Sequence, residues 1–210
     1  MGAENFYLEL GQLSEKSVHS LELSFNNLPK SDYLDGAYRL RRFSHFNFND
    51  GQIAQLPTKA FSQDAGINEF QGNVVREYQE IETSVVSSHA FQEMFKSFKA
   101  MAKFSDEAPI EVHQIRILGH SESAVETAPE GVHQDGNTFL AVFVIARTNI
   151  EGGEICVHPT KEQAPIFKHA FDKGEFVVLN DERFWHSAGA LKARDKNEAH
   201  MDLFVLTVKT

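Results

Sequence analysis

Basic residues, cysteine and long apolar runs are all scarce in this chain of 210 residues. Lysine and arginine number 20 against 30 acidic residues, for a formal net charge of -10. Proteins that bind nucleic acid or anionic membranes carry basic patches that neutralise phosphate, so neither partner is expected. Cys156 is the single cysteine. That rules out an intramolecular disulfide framework and a cysteine-rich zinc site. Its neighbours Ile155 and Val157 suggest a strand, a setting that suits a buried structural thiol better than a nucleophile. No stretch approaches the ~20 apolar residues of a membrane span. The N-terminus lacks the basic segment and apolar run of a signal peptide. The expectation is a cytoplasmic protein whose partner is a small molecule or another protein. The oligomeric state is open.

Tryptophan and tyrosine are also few, at 1 and 4, but phenylalanine reaches 18. Apolar residues make up 41% of the chain, enough for a core. A core filled by phenylalanine has no phenol or indole tips to satisfy. From Ser88 to Lys103, Phe91, Met94, Phe95, Phe98 and Met101 fall on one face at helical spacing, which predicts a helix packed into that core. Leu13, Val18, Leu21 and Phe25 roughly follow the same spacing until Pro29. Tyr38 to Phe48 reads as extended, with Arg39, Arg41 and Arg42 among aromatics.

The second half changes character. Extended runs recur at Glu111–Leu118, Phe139–Ala146, Glu154–His158, Glu175–Leu179 and Asp202–Val208. Gly152-Gly153, Gly174 and Asn180-Asp181 punctuate them. Short strands at such spacing predict a sandwich or barrel. The expected fold is α+β: a double-stranded β-helix, or cupin-like jelly roll, with flanking helices. It should form one domain over residues 1–210, with helices and strands of 1–108 packed on a jelly-roll core of 109–210.

The main chemical signal is Pro129-Glu130-Gly131-Val132-His133-Gln134-Asp135-Gly136. On an extended chain, residues i and i+2 share a face, so His133 and Asp135 can reach one metal while Gln134 turns away. Gly131 and Gly136 leave room for a bend on either side. Alone, His-x-Asp is a weak signal in a chain with ten histidines. Phe184-Trp185-His186, after the predicted strand Glu175–Leu179 and the Asn180-Asp181 turn, offers a third ligand. Two histidines and one carboxylate cover one face of an octahedral ion and leave the other open, which suits nonheme Fe(II) more than zinc.

These pieces, in their order, resemble the bacterial 2-oxoglutarate- and iron-dependent dioxygenases of the L-isoleucine dioxygenase type, which hydroxylate free L-amino acids. The matching stretches are His113-Gln114-Ile115-Arg116, Pro129 to Gly136, Asn149-Ile150-Glu151-Gly152-Gly153-Glu154, Trp185-His186-Ser187 and Asp202-Leu203-Phe204-Val205-Leu206-Thr207. Arg39 to Phe46 is similar to that family's arginine-rich strand. The resemblance is strong over about half the chain. It implies Fe(II) on His133, Asp135 and His186, 2-oxoglutarate as co-substrate with O₂, and a free amino acid or similar small polar molecule as substrate. The metal and its keto acid would carry the oxidation, and the protein would orient the substrate and exclude water.

One position departs from the family. Its members carry an arginine just before the aspartate of the final strand, where a bidentate guanidinium holds the distal carboxylate of 2-oxoglutarate. Here that position is Met201. Arg116 is the first candidate to replace it, although an ion pair with a nearby carboxylate is an equal reading of that residue. Arg194 and Lys192, on the loop after His186, are the second candidates. Met201 also leaves two rival readings open: a jelly-roll metal protein for sensing or regulation without oxygenase turnover, and an iron oxidase independent of 2-oxoglutarate. His113, Gln114 and Arg41 are candidates for the substrate pocket. The first two can equally form a core hydrogen-bonded pair, and the arginines a solvated sheet face.

Overall fold

Short extended runs recur through the second half, and strands dominate the computed structural model. It describes residues 8–210. The expectation about the extreme N-terminus therefore lies largely outside the described residues. In chain order the elements are β1 (Leu8–Gln12), α1 (Glu15–Glu22), a 3-10 turn (Leu23–Asn27), β2 (Arg39–Asn49), β3 (Gln52–Gln55), α2 (Thr83–Val86), α3 (His89–Ala102) and β4 (Ile110–Leu118). There follow β5 (Phe139–Thr148), β6 (Ile150–Gly152), β7 (Ile155–His158), β8 (Phe167–His169), β9 (Glu175–Asn180), β10 (Trp185–Ala188), β11 (Leu191–Ala193) and β12 (His200–Val208).

The strands form a seven-stranded sheet in the order β1-β9-β5-β12-β4-β2-β3, a three-stranded sheet β10-β7-β8 and a pair β11-β6. Neighbours run antiparallel. The smaller sheet packs face to face on the larger through Val157 with Leu140 and Leu179, and Ile155 with Val144 and Val177. This is the expected double-stranded β-helix. The first half supplies strands as well as helices, since β1 joins β9 and β2 joins β4 in the large sheet.

β12 shows how alternation divides the interior. Phe204, Leu206 and Val208 point to the helix side, into the large apolar core. Met201, Leu203, Val205 and Thr207 point between the sheets, toward a cavity. The excess of phenylalanine belongs to the helix side. There α3 starts at Ser88, whose hydroxyl accepts from the Phe91 amide. It buries Phe91, Met94, Phe95 and Phe98 completely. Phe91 and Phe95 meet Phe46 edge-on, with centroids 5.4 and 5.6 Å apart. The rigid, dry layer on one face leaves the other face of the same sheet to build the site.

Candidate metal centre and its cavity

His133 lies in an irregular extended segment joined to β10 by a single bridge. His133 and His186 exchange two backbone hydrogen bonds, of 2.9 and 2.8 Å. The bridge locks two residues 53 positions apart side by side, with ring centroids 4.3 Å apart. Gly131 and Gly136 take the positive φ values of 72° and 77° that turn the chain into and out of the segment. Asp135 projects to the same side as His133. Its carboxylate oxygens lie 3.6 Å from His133 Nε2 and 3.6 Å from His186 Nε2. The three ligand atoms are within 4.8 Å of one another.

This donor set fits a divalent ion. Ligands ~2.1 Å from one metal at right angles stand about 3 Å apart, so the 3.6 Å separations between Asp135 and the two histidines need only a small contraction. The proton positions agree. His133 Nδ1 donates to Gly131 O at 2.9 Å, which turns the Nε2 lone pair toward Asp135. Burial, then the neighbouring His186, lowers the His133 pKa and favours its neutral, ligating form. Burial also acts to lower the pKa of His186, but contact with Asp181 and the charge of Asp135 outweigh it and raise it.

Asp181 is the supporting residue that the sequence reading missed. Its carboxylate is fully buried. Oδ2 accepts from the amides of Asp135 at 2.8 Å and Asn137 at 3.2 Å. Oδ1 stands 3.3 Å from His186 Nδ1, close enough for charge attraction though off-line for a hydrogen bond. One side chain thus braces both halves of the triad. Its signal in the sequence is no more than the Asn180-Asp181 turn, which any hairpin would use. Gln63 is a second addition. Its amide donates to Asp135 Oδ1 at 3.2 Å, across 72 positions of sequence.

The triad opens on a cavity of about 140 Å³ between the sheets. At about 30 Å³ per water, that is room for about five water molecules or a small organic acid. One wall is apolar, with Leu140, Val142, Val144, Ile155 and Leu203. The other carries Arg39, Arg41, His113 and Glu130. Arg39 donates to Asp35 at 2.8 Å and Glu130 at 3.5 Å. Arg41 lies beside them, 3.9 Å from Asp35 and with its guanidinium 5.3 Å from the Tyr78 ring centroid. Burial opposes ionisation of Glu130, yet Arg39 and His133 overcome it and hold its pKa at about 2. His113 packs between Phe43 and Phe61, tilted on the first and edge-on to the second. Burial, then Arg41, keeps it well below its usual pKa and therefore neutral.

Of the expected pocket residues, the cavity therefore contains His113 and Arg41, and the expectation fails for four others. Gln114 and Arg116 point to the opposite face of β4, because consecutive strand residues alternate. Gln114 donates to Ser24 at 2.8 Å. Arg116 forms a bidentate pair with Asp202, at 2.6 and 2.7 Å, and donates to Asn26 at 3.0 Å. It takes the ion-pair reading and cannot serve the cavity. Arg194 is exposed in the turn after β11, Lys192 lies on β11 itself, and neither lines the cavity. Met201 does line it, in an apolar row with Leu203 and Val205.

A family model described as 2OG-Fe dioxygenase matches residues 22–207. Among curated proteins no sequence relative matches. Solved structures share the fold. IDO from Bacillus thuringiensis superposes with a TM-score of 0.75 at 15% identity, covering 95% of this chain and 90% of that one. A bsmA homologue from Methylobium petroleophilum PM1 gives 0.77 at 23% identity, covering 93% and 82%. The Fe(II)/(alpha)ketoglutarate-dependent dioxygenase TqaL gives 0.70 at 15% identity, covering 99% and 83%.

Proposed function

The chain belongs to the 2OG-Fe dioxygenase family, and from that premise we propose that it oxidises a free amino acid or a closely similar small carboxylate, with iron(II) held by His133, Asp135 and His186. It is an Fe(II)- and 2-oxoglutarate-dependent dioxygenase. When bound, the metal and its keto acid supply the oxidation of a C–H bond by O₂, with succinate and CO₂ as the other products. The chain's own residues do the rest. Gly131 and Asp181 hold the two imidazoles in their ligating orientation. The apolar wall keeps water from the reacting centre.

Arg41 carries the substrate reading. Its guanidinium is buried on the cavity wall, and its nearest carboxylate, Asp35, is already hydrogen-bonded to Arg39 and Gln71. A buried cation so weakly compensated is a receptor for an incoming carboxylate. The local balance favours a zwitterion. Arg39 and Arg41 face Asp35 and Glu130, two charges of each sign. A carboxylate on Arg41 and an ammonium near Glu130 would leave that balance unchanged. His113, neutral between its phenylalanines, can exchange a hydrogen bond with such a substrate. The two rival readings rested on Met201. Membership of the family favours the oxygenase over both a metal protein without turnover and an oxidase independent of 2-oxoglutarate.

The test is succinate release by the iron-loaded protein with a panel of amino acids and their decarboxylated amines. Amino acids should stimulate turnover and the amines should not. Arg41→Met should raise KM for the amino acid about 30-fold or more, as expected for loss of a buried charged partner. Substrate-independent succinate formation should persist in that variant. Equal stimulation by amines would refute carboxylate recognition at Arg41.

A further inference from the structure

The sheet register shows what stands beside Met201. Across the inner face of the large sheet, Arg39 of β2 pairs with Ile117 of β4, Ile117 with Met201 of β12, and Met201 with Arg147 of β5. Arg147 is there because β5 carries one extra residue. Leu203 pairs with Val144, but Asp202 pairs with Ala146, so the ladder skips Ile145. Without that bulge Ala146 would face Met201, and Arg147 would pair with His200 on the other face. With it, Arg147 and Val144 share the inner face although they are three residues apart.

The guanidinium is held and left open at once. Nη2 donates to Gly152 O at 2.6 Å, which fixes the plane of the group. Nη1 meets the Met201 thioether at 3.5 Å, a weak acceptor for a strong donor. Among the described residues no carboxylate lies within ion-pair distance of Arg147. Asp172 and Glu154 act on it from further away, and burial lowers its pKa. Arg147 does not itself line the cavity, but Gly153 and Met201, which lie against its guanidinium, both do. A Cβ at Gly153 would sit 3.4 Å from Arg147 Nη1 and 3.4 Å from Met201 Sδ. With no side chain at Gly153, no Cβ stands against the guanidinium on the side of that lining residue. Arg39, at the far end of the row, is already paired with Asp35 and Glu130.

We propose that Arg147, delivered by the β5 bulge to the side of Met201, binds the distal carboxylate of 2-oxoglutarate through the gap at Gly153. This rests on the assignment of 2-oxoglutarate as co-substrate. It replaces an arginine on the final strand by one on its neighbour. Adjacent strands lie about 4.8 Å apart, well within the reach of an arginine side chain.

Calorimetric titration of the Fe(II)-loaded, oxygen-free protein tests this with two probes, 2-oxoglutarate and 2-oxovalerate. The second has a methyl group where the first has its distal carboxylate. Arg147→Met keeps the stem and removes the charge. It should weaken 2-oxoglutarate about 30-fold or more and leave 2-oxovalerate and Fe(II) binding as in the wild type. Arg147→Lys should fall between. The proposal is overturned if Arg147→Met binds 2-oxoglutarate like the wild type, or if it loses both keto acids alike, as a structural role would predict. A wild type that binds neither acid overturns the co-substrate assignment itself, and the role of Arg147 with it.

Discussion

Removal of Arg116 should damage the fold and spare the site. Its guanidinium makes two short hydrogen bonds to Asp202 on the helix side of the sheet, and Asp202 is only 1% exposed. Arg116→Met would leave that carboxylate buried without its guanidinium, with His200 Nε2 3.6 Å from Oδ2. Breaking one side of a buried pair costs about 3–5 kcal/mol, whereas replacing both by apolar groups of similar volume is often neutral. For a chain of this size each kcal/mol moves Tm by roughly 2–4 °C, so the single variant should melt about 6–20 °C lower. Arg116→Met/Asp202→Leu should recover most of the loss. The deficit of the single variant should shrink in acid. Burial already raises the pKa of Asp202 against the pull of Arg116, and without the arginine the carboxyl takes up a proton more readily. Thermal and urea unfolding of the metal-free proteins measure this. Calorimetry at a temperature where the variant is folded should give unchanged 2-oxoglutarate affinity. A single variant within about 1 kcal/mol of wild type, or a double variant worse than the single, would refute the reasoning.

Two further outcomes follow from the metal centre and its surroundings. Asp181→Ala removes the acceptor for the Asp135 and Asn137 amides and the neighbour of His186, so Fe(II) affinity should fall about 10–100-fold with the fold retained; unchanged affinity in an oxygen-free titration would show that the triad needs no brace. The Glu130 carboxyl is held at about 2 against an ordinary 4.5, a depressed value, so its pairing with Arg39 stabilises the fold fully above pH 4.5 and is lost as pH falls toward 2. The stability gap between wild-type and Glu130→Gln metal-free protein should therefore narrow over that window, and a gap independent of pH would contradict the assignment.

The readable parts of this protein were the local ones. The stripe from Phe91 to Met101 predicts α3, and its apolar face is buried. The extended runs Glu111–Leu118 and Phe139–Ala146 predict β4 and β5. The spacing of His133 and Asp135, with Trp185-His186 downstream, points to three residues whose ligand atoms do come together, although the first two stand in a bridged loop. The misplaced residues of β4 have one common cause. His113 and Gln114 are neighbours on a strand, so no more than one of them can face a ligand, and the composition of β4 does not say which. Arg116 takes the same side as Gln114 and finds Asp202 there.

What the sequence determined by itself is which side chains share a face, because periodicities of two and of 3.6 are properties of the local backbone. Which face becomes the cavity was decided by tertiary structure, when α3 covered one side of the large sheet and the short sheet covered the other. The same holds for Asp181, which becomes a brace only after β9 and β10 bring it against the His133 segment. It holds most clearly for Arg147. A bulge breaks the period of two, and its position depends on pairing with β12 more than fifty residues away. No local pattern records a slip in register, so the side to which Arg147 points exists only once the strands have met.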